Sequence, residues 1–145
     1  MSEFLLESDA IALPRGAWAR THRNRLRRNG QTILALTQGD FRSHVFPLMT
    51  PAGYCVTSEC PADHPHHSGA WIASDHVHAM MPAANGGHEE YTYNFYVNET
   101  FQGRAPGRII VVATLGRQVD DGRFEIVQQL EWQGPREWAA ESGRL

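Results

Sequence analysis

A chain of 145 residues with 41% hydrophobic and 20% charged side chains has the make-up of one globular domain, which excludes a disordered or collagen-like chain. A net charge of −3 gives no global attraction to nucleic acid. No apolar run approaches the roughly 18 residues that a membrane-crossing helix needs.

The opening residues MSEFLLESDAIALP carry acids where a leader peptide needs a basic region, so a cytoplasmic protein is expected, engaging neither nucleic acid nor membrane. Charge is unevenly spread. Arg15, Arg20, Arg23, Arg25, Arg27 and Arg28 form a stretch free of acids, which leaves 7 arginines against 16 acids elsewhere. The stretch reads either as a solvated edge strand, whose charge discourages aggregation, or as an anion-binding face. Lysine is absent, so Schiff-base chemistry through a lysine is excluded. Cys55 and Cys60 lack the two-residue spacing of a zinc knuckle or redox pair and are expected as free thiols.

In chain order, residues 32–37 are a short apolar run that suits a buried strand, and residues 43–48 are a second. Thr50-Pro51-Ala52-Gly53 reads as a turn, with residues 54–57 returning antiparallel. Residues 91–97 are rich in the aromatic and β-branched side chains that strands favour. Residues 108–115 and 123–132 flank an Asp121-Gly122 step and predict a hairpin. Residues 59–69 and 79–90 read as long, turn-rich loops, and no segment holds a 3.6-residue apolar period. The expected fold is all-β, an antiparallel β-sandwich in a single domain over 1–145.

Six of the eight histidines fall between His64 and His88. On an extended chain, positions i and i+2 point to one side. His64 and His66, or His76 and His78, could therefore aim two nitrogens at one point, with Glu89 or Glu90 adding a carboxylate. His76, His78 and His88 are candidate ligands of one divalent metal: zinc, iron or manganese. Alternatively His64, His66 and His67 act as acid and base, with Asp63 orienting an imidazole. Trp71, Asp75 and Tyr91 would line a polar substrate pocket, where a ring stacks on the apolar face of a sugar.

The segments Phe46-Pro47-Leu48-Met49-Thr50-Pro51-Ala52-Gly53, Val56-Thr57 and Asp63-His64-Pro65-His66-His67-Ser68-Gly69-Ala70-Trp71 resemble a family labelled PmoA-like, or "methane oxygenase". Its members carry a P-L-x-T-P-x-G turn followed by D-H-P-H-H-R-G-L-W. Leu130-Glu131-Trp132 and the tail Glu141-Ser142-Gly143-Arg144-Leu145 are similar to its later strands. Here Ser68 stands where that family has arginine, and His76 and His78 have no counterpart in it. The resemblance implies that the chain corresponds to the N-terminal half of the family domain. It also implies an architecture like the sugar mutarotases, a larger supersandwich, and a place in carbohydrate metabolism.

Three functions follow as expectations. The first is an enzyme, or part of one, acting on a sugar-like, polyhydroxylated small molecule through a His-rich polar site. The second is a non-catalytic subunit or carbohydrate-binding module, in which an unfinished sheet recruits another copy or a complementary chain. The third is a His-ligated, metal-dependent oxygenase or lyase.

Overall fold

The computed structural model describes residues 3–10, 19–39, 41–64, 67–96, 100 and 105–135, with the backbone alone at 9–10 and 19–22. Eight strands follow one another: β1 (Phe4–Ala10), β2 (Ala19–Arg28), β3 (Gln31–Gly39), β4 (Ser43–Leu48), β5 (Val77–Pro82), β6 (His88–Tyr93), β7 (Arg108–Gln118) and β8 (Phe124–Gln133). The first four make one antiparallel sheet in sequence order, and β5–β6 and β7–β8 are separate antiparallel hairpins. The fold is an all-β, antiparallel, sandwich-like arrangement. No helix of the described residues is long and apolar enough to cross a membrane.

Alternation decides which face of the four-stranded sheet meets the hairpins. Leu26 pairs with Leu34, and Asn24 with Leu36, so these side chains share the face turned to β7–β8. The two layers approach closely at Gly116, where an added Cβ would lie 2.7 Å from Leu6 and 2.8 Å from Phe124. Between the hairpins, Tyr93, Phe95 and Ile109 are fully buried, and Val77, Ala79, Leu130 and Trp132 pack on them. The Phe95 and Trp132 rings meet at 5.0 Å between centroids.

The strand expectations for 32–37, 43–48, 108–115 and 123–132 match β3, β4, β7 and β8. The segment 54–57 returns as a single bridge, Cys55 to Met49, and both cysteines are free and exposed. Two readings are corrected. The stretch 79–90 is not a loop but most of a hairpin, reversed where the Ala83 N–H bonds the Gly87 carbonyl at 2.9 Å. The arginine stretch does not form an edge, because β2 lies between β1 and β3. Arg27 pairs with Glu7 of β1 at 3.0 Å, and the Arg28 guanidinium lies 5.2 Å from the centre of the Phe4 ring. Arg15 and the side chain of Arg20 lie outside the described residues.

Candidate functional site

On the sheet face turned away from β7–β8, register places Arg23 of β2 opposite Thr37 of β3, and Thr37 opposite His44 of β4. One row thus crosses three strands, and it is polar and buried together, since Thr37 is fully buried and only 3% of the His44 side chain is exposed. Such groups need partners, because an unpaired buried polar atom costs on the order of 1–3 kcal/mol. The partner comes from the segment after β4. The Glu59 carboxylate reaches His44 Nε2 at 2.8 Å and meets the Arg23 guanidinium at 3.3 and 3.4 Å. The Arg23 Nε–H in turn donates to Thr37 Oγ1 at 2.8 Å.

Burial pushes the His44 pKa below the usual imidazole value. Hydrogen bonding and attraction to Glu59 oppose that shift, and the Arg23 and Arg42 charges add to it. At neutral pH the arrangement is a neutral imidazole hydrogen-bonded to a carboxylate whose two oxygens both lie against one guanidinium nitrogen of Arg23.

The histidine-bearing segment is fixed on this row. Glu59 bridges Ser68, Ala70 bridges Val45, and the Cys60 N–H bonds the His67 carbonyl at 2.6 Å. Gly69 makes the return possible. Its φ of +95° suits glycine, and an added Cβ would sit 2.3 Å from the Val45 carbonyl oxygen. The segment then carries a run of rings. His64 stacks on His67 at 4.8 Å, His67 meets Trp71 at 5.3 Å, and Trp71 meets Tyr96 at 6.0 Å. The buried Arg42 guanidinium lies 4.7 Å from the Trp71 ring centre and donates to the Tyr96 carbonyl. Desolvation lowers the Arg42 pKa. Beside these rings lies a cavity of about 240 Å³, bounded by His44, Val45, Ala70, Trp71, Gln128 and Leu130 among others.

Of the residues proposed for catalysis, the structure joins Asp63, His64 and His67, with the His64 imidazole 3.1 Å from the Asp63 carboxylate. His66 lies outside the described residues. Trp71 stands in the ring row, whereas Tyr91 packs against the core and donates to Glu89 at 3.0 Å. Asp75 is exposed and paired with His76 at 3.1 Å, and the bond from His76 draws its pKa down.

His76, His78 and His88 do not converge. His78 lies in the row of Thr92 and His88 in the row of Pro82, four residues along the hairpin or roughly 13 Å. His78 instead bonds Glu90, and among the described residues no three His, Cys, Asp or Glu side chains form a metal-holding group. His44 was missed by reading the sequence because it stands alone, outside the histidine-rich stretch. The available signal was its place within an otherwise apolar strand, where alternation puts it on the same face as Phe46.

A family match decides what this chain is related to. The chain belongs to DUF6807, a family of unknown function. The DUF6807 match runs over residues 24–145, beginning one residue after Arg23 and taking in His44, Glu59 and the ring-bearing segment. No curated protein and no solved structure matches the chain.

Proposed function

We propose that this DUF6807 protein binds a sugar-like, polyhydroxylated small molecule at the His64–His67–Trp71 rings, and that the Glu59–His44 pair supplies acid–base chemistry to it. The observation that carries the reading is the row of rings His64–His67–Trp71, which stands beside a cavity of about 240 Å³ and is tied to Glu59 and His44 through the segment that bears it. Trp71 gives a face for the apolar side of a sugar ring, while the imidazoles and Asp63 offer hydrogen bonds to hydroxyls. A neutral His44, oriented by an ionised Glu59, has the form of a general base. The D-H-P-H-H-S-G-A-W motif supports kinship with the PmoA-labelled proteins and, through it, carbohydrate metabolism.

A second reading is favoured by the deep burial of His44: a carbohydrate-binding module in which Arg23, Glu59 and His44 only hold the ring segment in place. Saturation-transfer NMR with a panel of aldoses and keto-sugars tests both. Binding that Trp71→Ala weakens tenfold or more is expected. If no sugar binds, or if Trp71→Ala binds as well as wild type, both readings fail. Turnover of a bound sugar that His44→Gln lowers about 10²-fold, with binding retained, selects the enzyme.

A further inference from the structure

We propose that the polar chamber between the two layers binds an uncharged polyol, a small molecule whose hydroxyls both donate and accept hydrogen bonds. Strand positions that face the interior of a sandwich are ordinarily apolar. One end of this interior follows the rule, with Leu26 paired to Leu34 and Gly116 to Ile126. Two residues further along, the same faces turn polar. Ser8 pairs with Asn24 on the four-stranded sheet, and Thr114 pairs with Gln128 on the facing hairpin. These four side chains, with Gln38 of β3, border a cavity of about 470 Å³. That volume lies within the roughly 300–1,000 Å³ typical of small-molecule sites.

The chemistry of the lining selects the guest. A carboxamide carries an NH₂ donor and a carbonyl acceptor, and a hydroxyl does both. Among the described residues the half-buried Asn24 amide has no hydrogen-bond partner, and Gln128 uses only its NH₂ group, toward Thr114 Oγ1 at 3.4 Å. Gln38 is a fixed wall, its amide held by the backbone of β7. Glu7, the one charged side chain among the described residues of the lining, is paired with Arg27 at 3.0 Å. An anion would face the Asn24 and Gln128 carbonyls without a counter-charge, and a cation would face their NH₂ groups, whereas hydroxyls match both ends. Leu6, Leu36 and Val111 offer apolar surface to a carbon skeleton, and no aromatic ring among the described lining residues would stack on a flat guest. Trp71 and the imidazoles take no part, so the chamber and the ring site can fail separately. Gln128 borders both cavities, whereas Asn24 and Thr114 border the chamber and not the cavity beside Trp71.

The test is a titration of the whole chain with myo-inositol and with sorbitol, followed by NMR at the side-chain amides of Asn24, Gln38 and Gln128. The expected result is a saturable shift of the Asn24 and Gln128 amides with at least one of the two polyols. Asn24→Leu and Thr114→Val, which remove hydrogen bonds at little change of shape, should each weaken that binding about tenfold. Trp71→Ala should leave it within about twofold. The proposal is overturned if both polyols give only a linear, unsaturable drift. It is equally overturned if Trp71→Ala abolishes shifts that Asn24→Leu retains, which would put the polyol at the rings, or if acetate moves the same amides with equal affinity. Should Asn24→Leu fail to fold, Thr114→Val against Trp71→Ala decides.

Discussion

Among the described residues, His44–Glu59 and His78–Glu90 both pair a histidine with a glutamate, and they differ in almost everything else. On β4, His44 meets Glu59 under a cover of neighbouring chain, with 3% and 24% of their side chains exposed. On the outer face of the β5–β6 hairpin, His78 meets Glu90 with 60% of each side chain exposed. Water screens the second pair and solvates either partner when the other leaves, so the pair adds little. The first is bound into Arg23 and Thr37, and each member depends on the others to satisfy buried atoms. The residue types are the same, and burial with the partners it requires separates an exposed pair from a buried network.

Removing a partner breaks that comparison most sharply. Glu59→Ala leaves a guanidinium and an imidazole facing each other below the surface and should cost about 2–3 kcal/mol in denaturant unfolding at pH 7. A loss under 1 kcal/mol would put Glu59 in the same class as Glu90. His44→Gln keeps a donor toward Glu59 and should cost about 1 kcal/mol at pH 7. Its clearer mark is in pH dependence: wild-type stability falls as pH drops below 6.5, and in this variant that part of the decline is absent. Glu90→Gln, at the small end, should stay within about 0.5 kcal/mol of wild type, with no change in the amide shifts of residues 59–71.

The sequence showed the strands that carry an apolar run or flank a clear turn. β3 and β4 stood out as short apolar runs, and β7 and β8 through the Asp121-Gly122 step between them. β2 was opaque because one of its faces is arginine, paired in part with Glu7 and Glu59, so that its polarity conceals an interior position. β5 was opaque for a related reason. His78, Met80 and Pro82 stand on its outer face and mask the alternation of Val77, Ala79 and Met81. At the candidate site, local sequence held Asp63, His64, His67 and Trp71, which are neighbours along the chain. The row Arg23–Thr37–His44 exists only through strand register, and no spacing rule links residues 14 and 7 positions apart on three strands. Crowding of histidines marked the ring-bearing segment but gave no sign that His78 and His88 stand apart on an exposed hairpin.

The side chain of Gln38 has an effect beyond its own strand. Its amide accepts from the Val111 N–H at 2.8 Å and donates toward the Ile109 carbonyl at 3.4 Å, while the Phe41 carbonyl takes the Ile109 N–H at 2.6 Å. These are backbone groups that an incoming strand would need to add itself to β7. A side-chain amide copies a peptide unit there, so at Ile109 and Val111 the border of β7 is closed to a pairing strand without an added charge or a proline. A strand that lengthened the ribbon on this side would first have to displace Gln38 from the start of β7.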